Sequence, residues 1–122
     1  GLSYILLWPH HSLSVSALDE LIDYANTYGS RIIGPGNIGI YSSQSMLQLC
    51  LFPGKITGGG ISVITHNALT GKALAEIFST EGLGISSAIA LGEKMDLNEI
   101  DCLEYFKEDN STHIICIHLN LT

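Results

Sequence analysis

The sequence predicts an α/β fold: a mainly parallel sheet with flanking helices, stacked as three α/β/α layers. Three observations carry this. Short β-branched apolar runs recur along the chain, helix-period segments stand between them, and the runs are too continuously apolar to have one wet face. Strand–helix alternation of this kind builds βαβ units.

Tyr4–Trp8 is the first strand run. A helix follows, in which Ser16 and Asp19 have the spacing of a capping box, Leu18, Leu21, Ile22 and Ala25 share one face, and Gly29 stops the C-terminus. Arg31–Ile33 is the second strand run. Residues 34–60 carry Gly-Pro-Gly, Ser-Ser and Pro-Gly punctuation and read as a long connection, with room for a short strand or a turn of helix. Ile61–Thr65 is the third strand, delivered through Thr65-His66-Asn67 into a helix expected over 68–80, with Ala73, Leu74, Ile77 and Phe78 on its apolar face and Gly82 at its end. Ser87–Leu91 comes next. The last helix is expected to open with Asp96 and Glu99 as a capping box and to bury Leu97, Ile100, Leu103 and Phe106; His113–Leu119 closes the series.

The chain has 122 residues, enough for one compact domain, with 46% hydrophobic and 14% charged side chains. Five Lys and Arg against twelve Asp and Glu leave a net charge of −7 without a basic cluster, which argues against nucleic acid. No apolar run reaches the roughly 20 residues that span a bilayer. The stretch Gly1–Trp8 lacks the basic flank and length of a signal peptide. No membrane partner and a cytoplasmic location are therefore expected. Cys50, Cys102 and Cys116 form no C-x-x-C pair and read as buried thiols in a reducing compartment.

In a parallel sheet the loops leaving the strands' carboxyl ends gather along one edge, where ligands bind. Two such loops are Thr65–Asn67 and Gly92–Met95. Each enters a helix N-terminus, whose free N–H groups and partial positive charge suit a phosphate or carboxylate. The plain alternative is that Asn67 and Asp96 only cap their helices, for ~1 kcal/mol each. Other patterns fail. Thr70-Gly71-Lys72 lacks the upstream glycine of a P-loop and falls inside the helix, and Gly58-Gly59-Gly60 precedes a strand instead of following one. His10-His11 and His113/His118 have no Cys or carboxylate neighbours in ligand spacing, so no metal site is expected.

The order of motifs, "ALDELIDYANTYG", "RIIGPGNIGI", "PGKI", "ISVITHNALTGKAL" and "GLGISSAIALGEKMDLNEIDCLEYFKEDNSTHIICIHLN", resembles the NDP-forming acyl-CoA ligases, comprising the succinyl-CoA synthetase α-subunit and ADP-forming acetyl-CoA synthetases. The resemblance implies a Rossmann-like and flavodoxin-like architecture, with residues 1–52 ending a CoA-binding domain and 53–122 beginning a ligase domain. It implies phosphate binding at Thr65, His66, Asn67 and Ala68, and a CoA-proximal loop at Gly34, Pro35, Gly36 and Asn37. CoA, phosphate or a nucleoside triphosphate with Mg²⁺ would serve the parent enzyme, with an ATP-grasp (β-type) domain or subunit as partner and a homo-oligomer expected. No catalytic residue is assigned within the chain: the phosphohistidine segment would lie beyond Thr122, and the glycine-rich CoA loop upstream of Gly1.

The sequence departs from the family pattern at three places. The family turn Ser-Gln-Ser-Gly stands here as Thr65-His66-Asn67-Ala68, the Gly-Pro-Asn-Cys-type loop as Gly34-Pro35-Gly36-Asn37, and a strand-terminal Glu that orients the phosphorylated histidine as Asn120. Two readings stand beside an active ligase piece. One is a non-catalytic relative serving as a ligand-binding or subunit-interaction module; the other is an unrelated small α/β binding domain sharing only architecture.

Overall fold

The computed structural model describes residues 4–7, 14–36, 39–50 and 56–120. Trp8 of the first expected strand, Asn37 of the expected CoA loop and the His10-His11 pair lie outside them. The element order is β1 (Tyr4–Leu6), α1 (Val15–Thr27), β2 (Arg31–Ile33), β3 (Gly39–Ser42), β4 (Leu47–Cys50), β5 (Ile61–Thr65), α2 (Ala68–Thr80), β6 (Ile85–Ala90), α3 (Glu99–Lys107) and β7 (Ile114–His118).

Two sheets result. Strands β1 and β2 pair in parallel, with Ile5 opposite Ile32, and α1 covers them by burying Leu18, Ile22 and Ala25 against Ile32. The larger sheet has the order β4-β3-β6-β5-β7. Strands β5, β6 and β7 run parallel, with Val63 opposite both Ala88 and Cys116. Strand β3 is antiparallel to β6 and to β4.

Strand β5, the middle one of the three parallel strands, explains the three layers. Successive strand side chains point to opposite faces. Val63 packs with Ala75 of α2, Tyr41, Ile85 and Ala88, whereas Ile64 packs with Cys102 and Phe106 of α3, Leu91 and Leu97. Ser62 through Thr65 are all at most 1% exposed, as a strand covered on both faces requires.

Several local expectations change. The connection over residues 34–60 contains the β3–β4 hairpin, so the sheet is mixed, with its parallel part confined to β5–β7. Strands β3 and β4, which precede residue 53, pair with the later strands of the larger sheet. The first helix is capped by Ser14, whose Oγ accepts from the Ala17 amide at 3.2 Å, so Ser16 already lies inside the helix. The third is capped by Asn98 in a reciprocal box with Asp101, because the carboxylate of Asp96 is drawn to β2 instead. Starting α3 at Glu99 turns its buried stripe onto Cys102 and Phe106 and leaves Ile100 exposed. Leu21, Ala73 and Ile77 likewise face solvent, while Ala68, Gly71 and Ala75 line the buried side of α2. Burial pushes the Cys102 thiol up to about 12, which makes it an inert core group as expected.

Candidate functional site

The carboxyl ends of β5, β6 and β7 converge with the end of β2. The turn after β5 is held from both sides: His66 donates its amide to the His118 carbonyl at 3.2 Å and accepts from the Gly92 amide at 2.9 Å. Thr65 is fully buried, and its hydroxyl donates to the Asn67 carbonyl oxygen at 3.0 Å. Asn67, with extended backbone, caps α2: its Oδ1 accepts from the Thr70 amide at 2.8 Å and its carbonyl from the Gly71 amide at 3.2 Å. Among the described residues the amides of Ala68 and Leu69 have no acceptor. Ala68 itself is only 5% exposed.

The two loops singled out by sequence and the expected CoA-proximal loop are brought together. Glu93 donates to the Pro35 carbonyl at 2.8 Å, and Met95 to the Gly34 carbonyl at 3.3 Å. Gly34, Gly36 and Gly92 all adopt positive φ, at 110°, 80° and 65°, a conformation open to glycine and costly to most residues. A Cβ built on Gly36 would stand 4.0 Å from the Gly92 Cα, so the two loops lie side by side.

Charge near the α2 N-terminus is mixed. Lys94 sits 3.2 Å from Glu99, and both are part-buried. The Glu99 carboxyl is held below its ordinary range first by its own backbone amide and then, against the cost of burial, by Lys94 and the nearby His66. His66 is half-buried, with a sequestered Nδ1 that has no partner among the described residues, and the Nδ1 of His118 is in the same state. Asn120 is exposed beyond the end of β7. Among the described residues no three His, Cys, Asp or Glu side chains converge to hold a metal.

The group that sequence reasoning missed is Arg31, Asp96 and Asp101. Arg31 opens β2 and bonds Asp96 through Nε at 3.0 Å and Asp101 through both terminal nitrogens at 3.2 and 3.3 Å. Asp101 raises the Arg31 pKa further, outweighing desolvation. No periodicity links positions 65 and 70 residues apart; the only signal was a charged residue opening an otherwise apolar strand.

Comparison with known proteins agrees with this geometry. Residues 58–121 match the family profile described as the succinyl-CoA ligase like flavodoxin domain. The α-subunit of acetate–CoA ligase [ADP-forming] I from Pyrococcus furiosus is 31% identical over 100 residues, covering 82% of this chain and 22% of that protein. The acetate–CoA ligase [ADP-forming] of Methanocaldococcus jannaschii is 32% identical over 104 residues, covering 83% of this chain and 14% of that one. Among solved structures, the Ca. Korarchaeum cryptofilum acetyl-coenzyme A synthetase 1 in complex with phosphate and ADP superposes with a TM-score of 0.88 at 27% identity, over 98% of this chain and 26% of its own. The chain thus spans about a fifth of these relatives' length. No helix among the described residues is long and apolar enough to cross a membrane. With its parallel strand ends, capped helix and profile match falling on the same residues, the chain belongs to the succinyl-CoA ligase-like flavodoxin domain family.

Proposed function

We propose that this chain is part of an α-type subunit or domain of an ADP-forming acyl-CoA ligase. In this reading Thr65, His66, Asn67 and Ala68 form a phosphate-binding turn, and Gly34, Pro35, Gly36 and Asn37 form a loop near CoA. The supporting observation is the convergence of the α2 N-terminus, with the free amides of Ala68 and Leu69, on the Gly34–Gly36 loop through Gly92. Free amides at a helix N-terminus, backed by about half a positive charge, stabilise a phosphoryl group without any charged side chain.

The reaction joins an acid to CoA as a thioester at the expense of a nucleoside triphosphate, through a phosphohistidine carried outside these residues. This chain's contribution is positioning. Asn67 fixes the helix end, His66 ties the turn to β6 and β7, and the buried Thr65 hydroxyl stiffens it from within. Mg²⁺ accompanying the nucleotide is assigned to no residue here. An ATP-grasp domain or subunit would be the partner, as the α-subunit designation of the Pyrococcus relative suggests.

Two observations favour a second reading, a non-catalytic relative that keeps the fold as a ligand-binding or subunit-interaction module. The Thr65 hydroxyl is engaged within the turn, and Ala68 places a buried Cβ where the family's glycine leaves the backbone open. Incubating the protein that carries this segment with labelled ATP and Mg²⁺ separates the two. Acid-labile, base-stable phosphate on protein supports the ligase reading; its absence, with CoA binding retained, supports the module.

A further inference from the structure

We propose that Asp96 is a positioning residue of this site, setting the Gly34–Gly36 loop against the Gly92–Met95 loop and hence the place of CoA relative to the α2 N-terminus. The inference rests on the function proposed above for those loops.

Asp96 is an acidic side chain only 7% exposed, and two elements, β2 and α1, meet on its carboxylate. Oδ1 accepts from Arg31 Nε at 3.0 Å, and Oδ2 accepts from the Ile32 amide at 2.8 Å. With the Asn26 amide turned so that its nitrogen faces the carboxylate, that nitrogen donates to Oδ2 at 3.2 Å and to the Ser30 carbonyl at 2.8 Å, which brings in α1. Arg31 is braced from behind by Asp101, which also accepts from the Asn98 amide at 3.0 Å and so belongs to the cap of α3. Around this centre three main-chain bonds run from the loop before α3 to the end of β2 and its exit: Leu97 to Ile32, Met95 to Gly34 and Glu93 to Pro35.

The two sheets share no ladder. The position of Gly34 is therefore set by this set of bonds and by the packing of Leu6 and Ile33 into the α3 cluster. Apolar packing is non-directional and tolerates sliding; a carboxylate shared by a guanidinium and a backbone amide does not. Removing the carboxylate leaves the buried Ile32 amide and the Arg31 Nε without their acceptor, while the terminal nitrogens of Arg31 keep Asp101.

The test uses Asp96→Ala, with Asp96→Asn as a milder variant should the first fail to fold, since Asn keeps an acceptor for the Ile32 amide while losing the charge that holds Arg31. Amide hydrogen exchange is followed at Glu93 and Met95 and, as reference, at Val63 and Ile64 in the sheet core. Affinities for CoA and for inorganic phosphate are measured on the same proteins. The expected result is exchange at Glu93 and Met95 at least about tenfold faster with the core reference unchanged, CoA binding weakened about tenfold, and phosphate affinity within about twofold of wild type. Unchanged exchange at the two amides overturns the proposal, as does acceleration shared equally by the core, or an equal loss of CoA and phosphate binding. Wild-type protein that binds neither CoA nor phosphate refutes the site reading, and the exchange ratio then still decides whether Asp96 holds the loops.

Discussion

Gly59 and Gly84 meet backbone to backbone where the chain enters β5 and β6. A Cβ on Gly59 would strike the Gly84 Cα, and one on Gly84 would strike the Gly58 carbonyl oxygen. This close approach lets the Ile61 amide reach the Gly84 carbonyl at 3.2 Å and the Ile85 amide reach the Thr57 carbonyl at 2.8 Å, so the two parallel strands start side by side, and after a register shift between Ile61 and Ser62 they pair regularly from Ser62 opposite Ser87.

Gly84→Ala should therefore destabilise the fold by about 1–3 kcal/mol, the usual cost of overpacking against atoms that cannot move aside. Gly58→Ala, whose Cβ would meet only Ser43 at ordinary contact distance, should be close to neutral. Urea denaturation of the two variants checks the contrast.

Asn67→Ala removes the acceptor of the Thr70 amide. The expected loss is ~1 kcal/mol, or roughly 4 °C in melting temperature for a chain of this size. Asn67→Asp, which keeps the cap, should melt near wild type.

The Asp109 carboxyl is held below its ordinary 3.8 first by the Thr112 hydroxyl and then by Ser111, whose oxygens lie 2.6 and 2.7 Å away. A depressed folded pKa contributes stability that is complete above the unfolded value and is lost as pH falls through the folded one. Asp109→Asn should flatten the decline of stability below about pH 4, where the unfolded carboxyl begins to protonate. Thermal melts between pH 5 and 2.5 measure this, and a slope identical to wild type would remove Asp109 from the account.

Among the described residues strand β7 is an edge, paired only with β5, and it carries Ile114 at 61% and Ile117 at 41% exposure with no charged residue between them. Unprotected apolar edges recruit further strands. The chain studied alone should self-associate with rising concentration, and Ile117→Lys should suppress this in sedimentation experiments without altering the circular dichroism spectrum.

Much of this arrangement was legible in the sequence. Arg31–Ile33 and Ile61–Thr65 are strands at the expected residues, the helix over 68–80 is in place, and Asn67 caps it, because β-branched runs and a polar N-cap act locally. The match of residues 58–121 to the family follows the quoted resemblance. The β3–β4 hairpin was missed because its turn, Ser43 to Met46, lacks an Asn-Gly or Asp-Gly signal, with Met46 taking the positive φ instead. Asp96 was misread as a cap because its partners are fixed only by tertiary structure. Asn98, which does cap α3, carried the same chemistry two residues later.

The central claim is that the opening turn of α2 directs free amides at a negatively charged guest. Titrating the isotope-labelled chain with inorganic phosphate and following its amide resonances tests this most directly. Saturable shifts centred on Thr65 through Leu69, with Gly92 responding next through its bond to His66, are the predicted result. Shifts confined to other residues, or none at phosphate concentrations well above the millimolar range, would contradict it.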